Sequence, residues 1–334
     1  MDVFVVSNAE SRRTEYFIKA GKHLGMNTCF ITYKELMLRL PFLQHAVVKL
    51  EPPVSGEADF CKGEMVASSY RQTLRELTEI SLNESVSFLN TPQAILSALD
   101  KAGTKLQLQQ HGIAVTPLLA VDVDCFDTLR QIATGHQQGI FLKPRYGSGA
   151  GGVMAMRYHA ARQKWVAYTT MQADGDKVYN TKRILRLTDE TAIAFLVEAV
   201  LSVGSVVEMW IPKEQCGGRN YDLRLVCRDG AVDYIVVRCS NGAITNLHLN
   251  NDAQMFDKLD LSTHLSKELT EQALLATRAL GLRYAGVDAL VVRGTETSAI
   301  IEVNGQGDHI YQDMFAGNRI YINQLKSIQE TNDR

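Results

Sequence analysis

Within its first ninety residues the chain alternates short apolar runs with helical patterns, and this alternation narrows the fold more than any other feature. The runs are VFVV at 3–6, TCFI at 28–31 and AVVKL at 46–50, and a helical pattern over Glu15 to Leu24 lies between the first two. Strands separated by helices are the signature of a small parallel α/β unit, predicted here over residues 1–90. A longer helical pattern from Glu64 to Leu82 and the run VSFLN close it. Thr91-Pro92 then supplies a helix cap followed by proline at the first helical position, and a second unit begins there.

Residues 91–210 read as two helices split near Gly103, the strand IFLKP, a glycine loop, and the strands VMAMR, WVAYTT and KVYNTKRIL. A helix over Thr191 to Val203 and the strand VVEMWI complete this unit. Residues 211–334 alternate DLRLVCR, VDYIVVR, a polar loop, a helix from Ser266 to Leu280, VDALVV and SAIIEVN. The class is therefore α/β, with an α+β character in the second and third units. With 334 residues and 46% hydrophobic content, the chain can bury cores of that number.

Thirty-five basic residues against 37 acidic ones leave a net charge of -2, which gives no whole-chain attraction to nucleic acid or an anionic membrane. An anionic ligand must be held by a local cluster. The start MDVFVVSNAESRR lacks the basic flank and long apolar run of a signal peptide, and no stretch is apolar enough to span a bilayer. Six cysteines without a C-x-x-C pair suggest neither a zinc site nor a redox motif, so a cytoplasmic setting is expected.

Three segments carry chemistry. In FLKPRYGSGAGGV, Lys143 ends an apolar strand and is followed by Tyr146, Gly147, Ser148, Gly149, Gly151 and Gly152. Glycine lets backbone N–H groups approach phosphate oxygens, and a lysine offsets their charge. The segment has neither the closing Gly-Lys-Ser/Thr of a Walker loop nor a dinucleotide fingerprint, and a hairpin turn with a solvated lysine is the competing reading. In GVDALVVRGTETSAIIEVN, Glu302 and Asn304 are two apart on a strand and share a face. With Asp288 from the neighbouring strand they offer hard oxygen ligands suited to magnesium held jointly with phosphates. Strand-end caps or salt-bridge partners are the alternative for any one of them. In VVEMWIPKEQCGGRNYDLRLVCRDG, a strand meets Pro212 and a glycine-containing joint. Backbone groups from Glu208 to Ile211 can pair there with a flat ring such as adenine, while Arg224 and Arg238 reach towards phosphate. Otherwise Trp210 is a core aromatic and both arginines are surface partners.

In this order, the three segments resemble the ATP-grasp superfamily, most closely its RimK-type and glutathione synthetase-like ligases, over roughly residues 90 to 305. The resemblance is weaker for the α/β unit before them. It implies a pre-ATP-grasp domain followed by two α+β subdomains clasping ATP. It further implies that Lys101 and Lys143 contact the ATP phosphates and that Glu208, Met209, Trp210 and Ile211 contact adenine largely through backbone. Asp222 and Arg224 look like the D-x-R pair, Arg238 like the following arginine, and Asn246 belongs to a T-N-L-H stretch in the phosphate or substrate loop. Asp288, Glu302 and Asn304 resemble the site for magnesium, which manganese can replace.

The implied reaction joins a small-molecule or peptide carboxylate to an amine through an acyl phosphate, releasing ADP and phosphate, with His248 and His309 as candidate proton handlers. A homo-oligomer is left open. Where RimK-type enzymes place a basic residue before T-N-L-H and a glycine pair after it, this chain has Ala243, Ile244 and Asn250-Asn251. Gly305-Gln306-Gly307-Asp308-His309 replaces the usual Ser-Pro-Gly. Both departures fall where such enzymes recognise substrate, so a glutamate-adding activity is not carried over. A small-molecule kinase and a non-catalytic nucleotide-binding protein are the rival readings. The second would be marked by loss of Lys143 or Glu302, and both are present.

Overall fold

The computed structural model describes residues 2–80, 86–147, 150–246, 249, 252–306 and 317–332. Strands β1 (Asp2–Ser7), β2 (Thr28–Thr32), β3 (Ala46–Leu50) and β4 (Val86–Phe88) form a parallel sheet in the order β2-β1-β3-β4. Every residue of β3 is buried, as a strand covered on both faces requires. The helix Phe60–Ile80 covers one face with Tyr70, Leu74 and Leu77. It starts four residues before the expected Glu64, because Phe60 is anchored in the core of the next sheet beside Trp165 and Leu142. On the other face Val3 and Val5 pack with Phe17 of the helix Arg12–His23 and with Tyr321, Leu325 and Ile328 of the helix Arg319–Asn332.

The second sheet is antiparallel and contains β5 (Leu118–Val121), β6 (Ile140–Pro144), β7 (Met154–His159), β8 (Lys164–Asp174), β9 (Lys177–Leu187) and β10 (Ser205–Met209), in the order β5-β10-β6-β7-β8-β9. The helices Phe126–Thr134 and Glu190–Leu201 cover it with Leu129, Ile193, Leu196 and Val197. The sequence pattern leaves β5 and the helix Phe126–Thr134 unassigned, since LLAV is only four residues long and shows no alternation.

A third antiparallel sheet holds β11 (Gln215–Cys216), β12 (Arg219–Arg228), β13 (Ala231–Ser240), β14 (Asp252–Met255), β15 (Tyr284–Val291) and β16 (Ser298–Asn304). Its order is β14-β13-β12-β15-β16, with β11 added on β12. The helix Thr263–Ala279 packs on it through Leu265, Leu269, Ala273 and Ala276. Ala94 and Ala98 of the helix Pro92–Leu99, with Leu108 of the helix Lys101–Gln110, enter the same core. Among the described residues no helix is long and apolar enough to cross a membrane.

The break between the two helices after Thr91 falls at Asp100, three residues before the expected Gly103. Asp100 leaves helical geometry and its Oδ1 accepts from the N–H groups of Ala102 and Gly103, capping the second helix. The same carboxylate takes both Nε and Nη2 of Arg145, at 2.8 and 2.7 Å. Arg145 lies two residues after Lys143, so one side chain fixes the start of the Lys101 helix against the end of β6. Burial opposes ionisation of Asp100, but the arginine outweighs it and holds the carboxyl below its ordinary range. Replacing Asp100 with Ala should cost about 2–3 kcal/mol, the loss of a cap together with a charge-assisted pair. Asp100→Asn, which retains the cap, should cost about half as much. Urea denaturation checks this; equal losses would remove the cap from the account.

Candidate active site

Antiparallel pairing sets Phe141 of β6 opposite Glu208 of β10, and on these strands Lys143 and Glu208 meet. Lys143 Nζ donates to Glu208 Oε1 at 2.9 Å. The helix Lys101–Gln110 delivers two further lysines one turn apart on one face. Lys101 Nζ donates to the Gly147 carbonyl and lies 3.5 Å from Glu302. Lys105 is buried and donates to Thr116 Oγ1 (2.5 Å), the Thr116 carbonyl (3.1 Å) and the Ile301 carbonyl (3.2 Å), while facing Glu208 Oε2 at 3.2 Å. Thr116 Oγ1 in turn donates to Glu208 Oε2 at 2.7 Å.

Burial would raise the pKa of the Glu208 carboxyl, yet Lys105 and Lys143 overcome this and pull it down to about 2. Burial pushes Lys105 down to about 8, with Glu208 working against the shift. Both groups are charged at neutral pH.

The third sheet supplies the opposite wall. Register places Asp222 beside Arg238, Arg224 beside Asp288, and Asp288 beside Glu302. Asp222 accepts from Arg238 Nε at 2.6 Å, from Lys213 Nζ at 2.8 Å, and from the Thr245 hydroxyl. Lys213 also donates to Thr245 Oγ1 at 2.7 Å. Asp288 is gripped by Arg224 through Nε and Nη2, the latter at 3.0 Å, and by Arg238 Nη1 at 3.2 Å. Charges alternate from Lys213 through Asp222, Arg238 and Asp288 to Arg224. Burial disfavours the charged forms of Asp222, Arg238 and Lys213: Asp222 is nevertheless held far below the usual carboxylate range by Arg238 and Lys213, and Arg238 above its ordinary value by Asp222 and Asp288. For Lys213 burial prevails over Asp222, and its pKa is lowered.

Between the walls lies a cleft of about 820 Å³, counting the space that opens to solvent. Of the residues singled out from sequence, Lys101, Lys143, Gly147, Gly151, Glu208, Met209, Ile211, Asp222, Arg238, Asn246, Asp288 and Glu302 border it. Others point elsewhere. Tyr146 is sandwiched between Arg71 and Arg145, at 4.2 and 5.3 Å from the ring centre. Gly152 donates its N–H to Asn180 and sits at φ +71°, where a side chain would fall 2.5 Å from Pro144 and 2.7 Å from Phe60. Its need for glycine is thus met by packing and backbone geometry.

Trp210 packs with Phe141 and Tyr168 beneath Arg157, and its N–H is bonded to the Gly139 carbonyl, so that amide is not available to a ring ligand. Arg224 lies behind Asp288 and is occupied by it. Ser148, Gly149, His248 and His309 lie outside the described residues.

For the expected metal triad, Asp288 and Glu302 face one another across β15 and β16, and Asn304 on the same strand donates Nδ2 to the Gly286 carbonyl at 3.3 Å. Among the described residues no group of three or more His, Cys, Asp or Glu is placed to hold a metal. Two carboxylates completed by phosphate oxygens still fit magnesium, which commonly takes one or two protein carboxylates. Of the three expected ligands, Asp288 also shares its charge with Arg224 and Arg238.

Sequence reading missed Lys105, Thr116, Lys213 and Thr245. Lys105 left a signal, because it falls on the buried face of its helix with Ala102 and Leu108, three residues to either side. Lys213 left none, as its partners arrive from 9 and 32 residues away.

No protein-family profile matches the chain, and no curated protein matches it in sequence. Solved structures do match in fold. D-cycloserine synthetase DcsG superposes with a TM-score of 0.62 at 14% identity, covering 97% of this chain and 98% of that one. ATP-grasp ligase PsnB, complexed with a minimal precursor, gives 0.55 at 13% identity, with 94% and 93% covered. D-alanine–D-alanine ligase from Bacillus anthracis, complexed with ATP, gives 0.57 at 16% identity, with 99% and 97% covered. The chain has the ATP-grasp fold.

The depressed carboxyl of Glu208 makes an acid-labile contribution to stability. It is fully present above the ordinary value of 4.5 and is lost as pH falls from there through about 2. The loss should be on the order of 3 kcal/mol. Urea denaturation across that range should show Glu208→Gln less sensitive to acid than the wild type. Parallel curves would remove Glu208 from the acid response.

Proposed function

We propose that the chain is an ATP-dependent carboxylate–amine ligase acting through an acyl phosphate. One observation carries the reading: Lys101, Lys143, Asp288 and Glu302 line one cleft, Lys143 on the second sheet and the two carboxylates on the third, with Lys101 3.5 Å from Glu302 and Arg238 and Asn246 also bordering it. Lysines and carboxylates bordering one cleft match what a triphosphate with its divalent ion requires. The ATP-grasp fold and the ATP-bound structural neighbour support the same assignment.

In this reading Lys101 and Lys143 hold the phosphates, and Met209 with Ile211 borders the adenine. Asp288, Glu302 and Asn304 hold magnesium, which when bound neutralises charge on the phosphate oxygens. A substrate carboxylate oxygen attacks the terminal phosphorus and ADP leaves. The amine nitrogen then attacks the acyl carbon, and phosphate departs with one oxygen from the carboxylate while the nitrogen loses its proton. Asn246 and Arg238 act as donors where the tetrahedral oxyanion develops. DcsG, PsnB and D-alanine–D-alanine ligase are all named for synthetic or ligating activities, which supports an acid and an amine, free or within a peptide, as substrates.

The first test is calorimetry with ATP and magnesium. Lys143→Met should weaken binding by about 1.5–3 kcal/mol, the value of a charge-assisted contact, and absence of binding by the wild type would refute a nucleotide site. Glu302→Ala should reduce turnover far more than ATP affinity, because charge on the transferring group is greatest in the transition state. Arg238→Ala is a poor probe of the oxyanion, since it strands Asp222 and Asp288 and should cost about 3–5 kcal/mol of stability.

Incubation with ATP, hydroxylamine and a panel of amino acids and peptides should yield a hydroxamate and ADP. Accumulation of a stable phosphorylated product without hydroxamate would instead identify a kinase.

A further inference from the structure

The buried lysine on the far side of Glu208 has no role in the chemistry above. Lys105 is 2% exposed and does not border the cleft. It is enclosed by Thr116, the Ile301 carbonyl and Glu208, and so cannot touch a phosphate itself. Hydrogen bonding alone does not explain an ammonium there, because a neutral amide can donate to a carbonyl and a hydroxyl at far smaller desolvation cost. What the ammonium adds is charge.

Glu208 has one negative charge and two cationic partners, Lys143 at 2.9 Å and Lys105 at 3.2 Å. The trio carries a net charge of plus one. Without Lys105, Glu208 and Lys143 would form a neutral pair, and an arriving phosphate would have to take Lys143 from a carboxylate with no other cation within reach. We infer that Lys105 is a positioning residue which shares Glu208 with Lys143 and thereby leaves the Lys143 ammonium available to a nucleotide phosphate. It reaches Glu208 both directly and through Thr116, which accepts from Lys105 and donates to Glu208. The same ammonium holds the Ile301 carbonyl, so it also ties this trio to the strand of Glu302.

The inference rests on the nucleotide reading, and its test separates the two. Binding of magnesium-ATP and of adenosine is measured by calorimetry for the wild type, Lys105→Met, Lys105→Gln and the double variant Lys105→Met/Glu208→Gln. Both single variants should bind ATP about ten- to a hundredfold more weakly, the worth of a charge-assisted contact, with adenosine affinity unchanged. Lys105→Gln retains an amide donor, so it guards against a Met variant that fails to fold. The double variant should recover most of the ATP affinity, because removing the acid frees Lys143; a purely structural strut would not be rescued this way. Unchanged ATP affinity in the single variants, equal losses for adenosine and ATP, or no recovery in the double variant would each overturn the role of Lys105 while leaving the nucleotide site intact. A wild type that binds no ATP would instead overturn the nucleotide reading and this inference with it.

Discussion

A carboxylate removed from water must find enough positive charge to remain ionised, and the arrangement of this molecule depends on how Glu208 does so. Its two oxygens are divided between Lys143 on β6 and Lys105 on the helix Lys101–Gln110, with Thr116 completing the second. Lys105 is bonded to the carbonyl beside Glu302. A single buried charge therefore links the second sheet, the connecting helix and the third sheet. Buried ion networks of this kind stabilise weakly compared with apolar packing, but removing any one member is costly because it isolates another. Such a network resists small geometric errors, which suits two walls that must face each other at a fixed separation.

The third sheet solves the same problem differently. Its charged residues lie on neighbouring strands at matching register, so Asp222, Arg238, Asp288 and Arg224 pair across strands and no helix is needed to bring them together. This ladder is largely buried and fully engaged, whereas Glu302 at its edge lies 3.5 Å from Lys101. The wall thus has a buried, paired interior and a more exposed rim. In the ligase reading, Asp288 from the ladder and Glu302 from the rim meet the ion together, while Asp222, Arg238 and Arg224 keep the strands in register.

Much of this was legible in the sequence, for identifiable reasons. The first sheet declared itself because strands buried on both faces are uniformly apolar, as AVVKL is. Glu302 and Asn304 could be placed on one face because a strand has a two-residue period. What was lost depended on contacts remote in sequence. Asp100 breaks its helix because Arg145, on another element, rewards it for doing so. The glycines after Lys143 looked alike as a composition, yet Gly151 borders the cleft while Gly152 is required by Pro144 and Phe60. Trp210 was counted among the adenine contacts because VEMWIP resembles a hinge, but whether its amide was already bonded depended on Gly139, 71 positions earlier.

The helix Arg319–Asn332 covers a face of the sheet whose first strand is Asp2–Ser7. During synthesis, at about 5–20 residues per second, that helix emerges after the strands of both antiparallel sheets. Val3 and Val5 must remain shielded from wrong partners through this interval. The order of sealing thus runs against the order of translation: a sheet whose strands precede both antiparallel sheets is closed by a helix that follows them.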